Sequence, residues 1–462
     1  MSRQDYTTKE YQRRILLTQL ARTMETAAQR GLFGHPITLK QATLINGPRA
    51  GALEIGAGFE SGALVRSLSS DDGATLRQLI PWEFSGEPST FMSGRFVRIE
   101  AGWPKGLADD DIPLRALGQH PTEGGRWLVG RNERGHVLTA GLNDDTPHWL
   151  LSGTTGSGKT TALISMTEQL CRDPENRLVL IDAKHGASLQ RLSNVHGLIG
   201  PLASDVASAR AALTWCINEM STRYSGGRDT RRIIIVCDEI QELVGDEMCK
   251  AAITKLSAQG RGAHIHMIIA TQHPVIASLG GPTVGRNLVG RLALRVADAD
   301  ASRVALGSST PRADHLLGRG DAYAVAPGAT HRTQVAYLDS DPLTGGPDLA
   351  EWPEDLGDMP DISGWPAGAE VGTAILSAAR GDGRLKFQRA CKEFGISVAD
   401  NNKAVKLLGL ARGVLDFMNE HDMAVCLSES EGTPKTAYEV AENGKVVSVP
   451  SLRQTDGEDE EE

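Results

Sequence analysis

Between residues 147 and 338 the chain alternates short apolar runs with longer stretches of mixed polarity. Residues 178–181, 233–237 and 265–270 are apolar at almost every position. A strand covered on both faces reads this way, and such strands separated by helical crossovers form a parallel sheet. The pattern predicts a doubly wound α/β sheet. Residues 161–170 read as a helix, directly after a β-like run over 148–152.

The flanking regions are patterned differently. Residues 11–29 predict an amphipathic helix, with Leu16, Leu20 and Met24 on one stripe and Leu17 and Ala21 beside it. Such a stripe packs on its own domain or a neighbour. Residues 44–117 read as α/β, with strand-like 52–55 and 96–100 and a helical 61–69 between them. Residues 127–130 and 136–138, around a turn at 132–135, predict a hairpin leading into the main sheet. Five prolines (Pro342, Pro347, Pro353, Pro360, Pro366) mark a linker or extended strap. The expected division is an N-terminal helical segment 1–40, a small α/β domain 41–120, a main domain 121–340, a linker 341–369, a small C-terminal domain 370–450 and an acidic tail 451–462.

Composition narrows the class only a little. At 462 residues, 40% hydrophobic and 23% charged, the chain has an ordinary globular profile with room for two to four domains. No apolar run approaches the ~18–20 residues that cross a bilayer, and residues 1–10 are polar. Six cysteines lie scattered without C-x-x-C spacing, which argues against a disulfide frame or zinc site and for a reducing, cytoplasmic setting. The net charge of −10 weighs against a nucleic-acid partner until the tail is set aside. The last seven residues carry six acids, leaving about −4 for the rest.

The chemistry is concentrated in one stretch. Gly153, Thr154, Thr155, Gly156, Ser157, Gly158, Lys159 and Thr160 form a complete G-x-x-x-x-G-K-T phosphate loop between a strand and a helix, with Thr161 following. The glycines let backbone N–H groups turn toward phosphate oxygens, and the helix presents its positive end to the anion. Lys159 is expected to reach the β and γ phosphates of ATP and Thr160 to hold Mg²⁺. About 80 residues on, the apolar run 233–237 ends in Asp238-Glu239. Asp238 is the expected second magnesium ligand and Glu239 the base that orients and deprotonates a water. Gln272 ends a further apolar strand; if that strand lies beside Asp238, Gln272 points at the γ phosphate. Arg261 is the first candidate for a cation supplied from a neighbouring subunit, and Arg291 the second. Asp182-Ala183-Lys184 ends another strand, near the nucleotide or in a solvated loop.

These residues resemble the FtsK/SpoIIIE family of DNA-pumping ATPases over about residues 44–338. The resemblance rests on His148-Trp149-Leu150-Leu151-Ser152 with the phosphate loop, Ile181-Asp182-Ala183-Lys184, the stretch 213–224 ending Glu219-Met220-Ser221-Thr222-Arg223-Tyr224, Arg261 through Thr271-Gln272-His273-Pro274, and Leu316-Leu317-Gly318-Arg319-Gly320-Asp321-Ala322. It implies a RecA-like P-loop motor of the FtsK/HerA type, with a small domain stacked on it. It further implies a hexameric ring of identical subunits that threads double-stranded DNA and hydrolyses ATP between them.

Two departures shape the expectation. Members of the family that act in cell division carry membrane helices, and this chain shows none, so it resembles soluble relatives on plasmids, integrative elements or phages. Membrane anchoring would then come from a partner protein. His273 stands where the family usually has arginine. In the C-terminal region, helix candidates at 385–394 and 400–410 precede a hairpin signal, Asn443-Gly444, between strand-like 438–440 and 445–447. That order fits a winged helix or a small packing domain equally. The alternative function is a type VII-like protein-secretion ATPase, which shares the family but usually has several tandem modules.

Overall fold

The structure is a computed structural model. It describes residues 3–34, 36–109, 111–119, 121, 124–227 and 229–353, six isolated helical positions between 374 and 411, and three strands between 424 and 448. The chain divides into two compact units, residues 1–353 and 354–462.

The first unit opens with helix α1 (Arg3–Gln29), followed by β1 (Gln41–Asn46), β2 (Ala50–Gly56), α2 (Ser61–Ser69), α3 (Ala74–Leu79), β3 (Ser89–Ser93) and β4 (Phe96–Gly102). The strands form an antiparallel sheet in the order β1-β2-β4-β3. One hydrophobic core joins Leu17, Leu20 and Met24 of α1 to Leu53, Ile55, Val97, Ile99 and Trp103. The N-terminal helix is therefore a layer of this small domain rather than a segment apart from it. Its buried stripe runs through Leu17, and Leu16 packs at the margin. Gly51 makes the close approach possible: a Cβ there would lie 2.4 Å from the Trp103 ring and 2.9 Å from Leu17.

The main domain comprises β5 (Arg126–Asn132), β6 (Val137–Gly141), β7 (His148–Ser152), α4 (Lys159–Leu170), β8 (Asn176–Asp182), α5 (Val206–Tyr224), β9 (Arg232–Asp238), α6 (Glu247–Gln259), β10 (Ile265–Thr271), α7 (Pro282–Asn287), β11 (Gly290–Leu294), α8 (Ala299–Leu306), β12 (Asp321–Ala326) and β13 (Ala329–Val335). They build a nine-stranded sheet, ordered β6-β5-β13-β12-β11-β7-β10-β9-β8. The run β11-β7-β10-β9-β8 is parallel, and its apolar strands are buried on both faces, as the continuous patterning predicts. The expected hairpin β5-β6 extends the same sheet. Strands β12 and β13 join that hairpin to β11 by antiparallel pairing, a connection not read from the sequence.

The proline-bearing segment after β13 begins as a strap. His196 N–H donates to the Leu343 carbonyl, and Asp348 and Leu349 donate to Leu198 and Ile199 beside the β8 edge. Trp352 is buried against Trp215, packs over Gly200, and donates its indole N–H to the Pro201 carbonyl at 2.8 Å. The remainder of the expected linker and the helix candidates 385–394 and 400–410 fall largely outside the described residues. In the second unit, β14 (Ala424–Ser430), β15 (Thr433–Glu442) and β16 (Lys445–Ser448) form an antiparallel sheet, with Glu442 paired to Lys445 across the Asn443-Gly444 step.

Trp352→Ala would leave a large void beneath the strap, and such truncations cost about 3–5 kcal/mol. Urea denaturation of the variant should show a loss of that order. A loss under about 1 kcal/mol would mean that the strap adds little to the fold.

Candidate nucleotide site

Three parallel strands meet at their carboxyl ends to make the site. β10 lies between β7 and β9, so Ser152, Thr271 and Asp238 finish side by side. The phosphate loop leaves β7, the Asp238-Glu239 pair leaves β9, and Gln272 leaves β10. The adjacency on which a role for Gln272 depends is present. Crevices outside the carboxyl ends of such strands are where α/β proteins hold ligands.

The loop's backbone is set by its glycines. Gly156 and Gly158 take φ of +78° and +101°, conformations that disfavour side chains. A Cβ on Gly153 would lie 2.4 Å from the Ser157 hydroxyl. No side chain caps the first turn of α4, so its leading N–H groups are open to an anion.

Inside this frame the Lys159 ammonium is buried and donates to Asp238 and, at 2.9 Å, to Glu239. Glu239 also accepts from the Gln272 amide side chain, from the Gln272 backbone N–H at 3.3 Å, and from Gln241. Thr271 donates to Gln241 at 2.8 Å, and Thr155 donates to Gln272 at 3.0 Å. Burial pushes the Glu239 carboxyl up, but the bonds from Gln241, Lys159 and Gln272 outweigh it and hold it below the usual glutamate range. Glu239 adopts φ +54°, left-handed for a non-glycine residue, and such local strain collects at functional positions. Gln241 was missed in the sequence, although its place two residues beyond Glu239 was a usable signal.

The site also fits the metal that such a loop implies. Asp238 is fully buried, and its Oδ2 has no hydrogen-bond partner, so one carboxylate oxygen is available to a cation. Thr160 stands half-buried at the start of α4. A carboxylate and a hydroxyl beside bound phosphates is a usual magnesium environment.

Other candidates fall elsewhere. Arg261 is exposed before the start of β10, at the opposite edge of the sheet, where its guanidinium donates to the Asp144 carbonyl at 3.3 Å. It cannot reach the site of its own chain. Arg291 is committed to its own fold: it donates to the carbonyls of Val304 and Gly285, and burial lowers its pKa. That removes it as a candidate cation for a neighbour. Asp182 is buried and accepts from the N–H groups of Lys184, Ser188 and Leu189, so it shapes a turn. Lys184 forms a half-exposed pair with Glu242 at 3.6 Å. His273 is exposed.

The geometry defines a P-loop NTPase site: a glycine cradle at a helix start, a lysine, two acids on a separate strand, and a polar residue on the strand between them. Residues 119–233 match the FtsK/SpoIIIE family model. The chain is 31% identical to the DNA translocase SpoIIIE of Bacillus subtilis over 246 residues, 46% of this chain and 31% of the relative. It is 30% identical to the DNA translocase FtsK of Bacillus cereus over 339 residues, 62% and 42% of the two chains. It is 30% identical to FtsK of Leptospira interrogans over 275 residues, 52% and 28%. It thus spans 28% to 42% of these relatives' lengths. Among solved structures, it is similar to the pCW3 conjugation coupling protein TcpA with 21% identity and a TM-score of 0.47, covering 69% of this chain and 95% of that one. It is also similar to the type VII secretion ATPase EccC of Thermomonospora curvata with 20% identity and a TM-score of 0.46, covering 56% and 38%. Among the described residues no helix is long and apolar enough to cross a membrane.

At the sheet edge that bears Arg261, two buried histidines face each other, His148 and His266, with ring centroids 6.3 Å apart. His148 Nδ1 accepts from the Met267 N–H at 3.0 Å. Burial, then the neighbouring imidazole, pushes His148 down to about 3, and burial takes His266 to about 4. Unfolded imidazoles bind protons below the ordinary value of 6.5, whereas the folded pair resists until about 4. Their contribution to stability is therefore full above pH 6.5 and falls on acidification, by up to about 1.4 kcal/mol per pH unit for each ring. His148→Asn keeps an acceptor near Met267 and removes one titration. Urea unfolding between pH 7.5 and 5 should show a shallower pH dependence in the variant than in the parent. Equal slopes would refute the assignment.

Proposed function

We propose that the chain is the motor of an ATP-driven double-stranded DNA translocase, acting in DNA transfer or segregation. The observation that carries this reading is the cluster of buried Lys159, Asp238 and Glu239 with half-buried Gln272 at the carboxyl ends of the parallel strands, in a chain whose residues 119–233 match the FtsK/SpoIIIE family model. The relatives reported above are named DNA translocases, which supports DNA as the partner.

In this reading the phosphate loop binds ATP. Backbone N–H groups and Lys159 hold the phosphates, so Lys159 exchanges its bond to Glu239 for the nucleotide. Thr160 and Asp238 would hold magnesium, which neutralises phosphate charge when bound. Freed from Lys159, the Glu239 carboxylate is the base that orients a water, and Gln272 keeps it aimed by donating to the same oxygen. Thr155, bonded to Gln272, ties that aim to the loop. Positive charge opposite the transferring phosphoryl group has to come from outside the site, and an exposed Arg261 suits delivery by a second copy in a ring.

The purified protein should hydrolyse ATP faster when linear duplex DNA is added, and Lys159→Ala should lower the rate by about a hundredfold or more. Displacement of a triplex-forming strand from the duplex then tests movement itself. ATPase indifferent to DNA would remove the translocase reading and turn attention to protein substrates.

Arg261→Ala should bind ATP normally and lose at least about a thousandfold in turnover. Mixing it with Glu239→Gln should restore part of the rate, because some interfaces then pair an intact glutamate with an intact arginine. Two inactive variants that stay inactive on mixing would refute delivery in trans.

A further inference from the structure

The back of the phosphate loop rests on a turn that the small domain grips. Residues 318–320 take three successive left-handed conformations, with φ of +76° at Gly318, +51° at Arg319 and +86° at Gly320. The turn's N–H groups face the loop: Gly320 donates to the Ser157 carbonyl at 2.7 Å and Arg319 to Gly156 at 3.4 Å. Contact is backbone to backbone, since a Cβ on Gly158 would lie 2.8 Å from the Gly320 nitrogen. These bonds use carbonyl groups of the loop, so they set its curvature without occupying the N–H groups that face a phosphate.

The same turn is held from the small domain by two arms. Arg49, buried in the bend between β1 and β2, donates to the Gly318 carbonyl at 3.1 Å. The second arm is a buried charge network. Asp321 accepts the Leu317 N–H at 2.9 Å and, in a two-point contact, Arg332 Nε at 3.0 Å and Nη2 at 2.7 Å. Arg332 donates onward to Glu100 of β4 at 2.9 Å, and Glu100 accepts from Tyr323 at 2.6 Å and from Arg98 at 2.7 Å. The side-chain links are all buried, where such bonds are stiff and costly to break.

We infer that Arg49 is a positioning residue for nucleotide binding: through Gly318 it lets the small domain set the shape, and hence the ATP affinity, of the phosphate loop. The inference rests on the proposed nucleotide site. Coupling of this kind is reciprocal, so bound nucleotide also biases how the small domain is held. A domain gripping DNA would then act on the nucleotide from behind the loop rather than across the site.

The test titrates the full chain with a fluorescent ATPγS analogue and magnesium. Arg49→Met keeps the apolar stem and removes the donor; Arg49→Lys keeps a donor. The dissociation constant should rise about tenfold in Arg49→Met and return most of the way in Arg49→Lys. Equal affinity in Arg49→Met and the parent would overturn the inference, as would equal weakening by methionine and lysine, which marks a packing role. Failure of the parent chain to bind the analogue would instead overturn the nucleotide site itself.

Discussion

The site depends on the insertion of β10 between β7 and β9. Parallel strands share a direction, so their carboxyl ends finish together, and adjacency decides which end residues meet. With β10 in the middle, a phosphate loop, an acid pair and a glutamine converge although 79 residues separate Lys159 from Asp238. The same strand fixes what cannot meet. Arg261 precedes seven residues of extended β10, about 20 Å of rise, so the arrangement that brings Gln272 to the site carries Arg261 away from it.

Legibility in the sequence followed the range of each interaction. The phosphate loop was legible because its chemistry is local: glycine where φ is positive, lysine and threonine where the helix begins. The buried parallel strands were legible because two covered faces leave little room for polar residues. Strands β12 and β13 were not. They mix alanine, threonine, histidine and arginine, and what makes them interior is a charge network with partners up to 232 residues away. Arg291 misled for the same reason. Nothing local shows that its guanidinium ends on its own chain's carbonyls.

The small domain was read as a body stacked on the motor, and its outline was legible from two strands and a helix. Its attachment was not. Glu54, Arg98 and Glu100 look like solvated charges on β-strands, yet Arg98 pairs with both glutamates at 3.2 and 2.7 Å in the interior. Burial pushes the Glu100 carboxyl up, and the flanking Arg98 and Arg332 more than offset it and hold it low. Removing one member would leave its partner buried and uncompensated, and that penalty makes a charged joint more specific than an apolar one. An apolar face tolerates sliding; a network with fixed hydrogen-bond directions does not.

That directionality bears on how a phosphate loop can be coupled to the rest of its chain. The front of the phosphate loop has to stay open to nucleotide, so any lasting mechanical connection has to run through its carbonyl side or its helix. Here α4 is packed along the sheet interior with most of its residues buried, which leaves it little freedom to shift. The carbonyl side, by contrast, meets a three-residue left-handed turn whose other contacts reach a separate domain. A left-handed turn with a non-glycine residue at its centre is strained, and it persists because its surroundings over-determine it. Strain held by contacts from two domains responds to displacement of either, and this makes residues 318–320 the point where small-domain position and loop shape are mechanically the same variable.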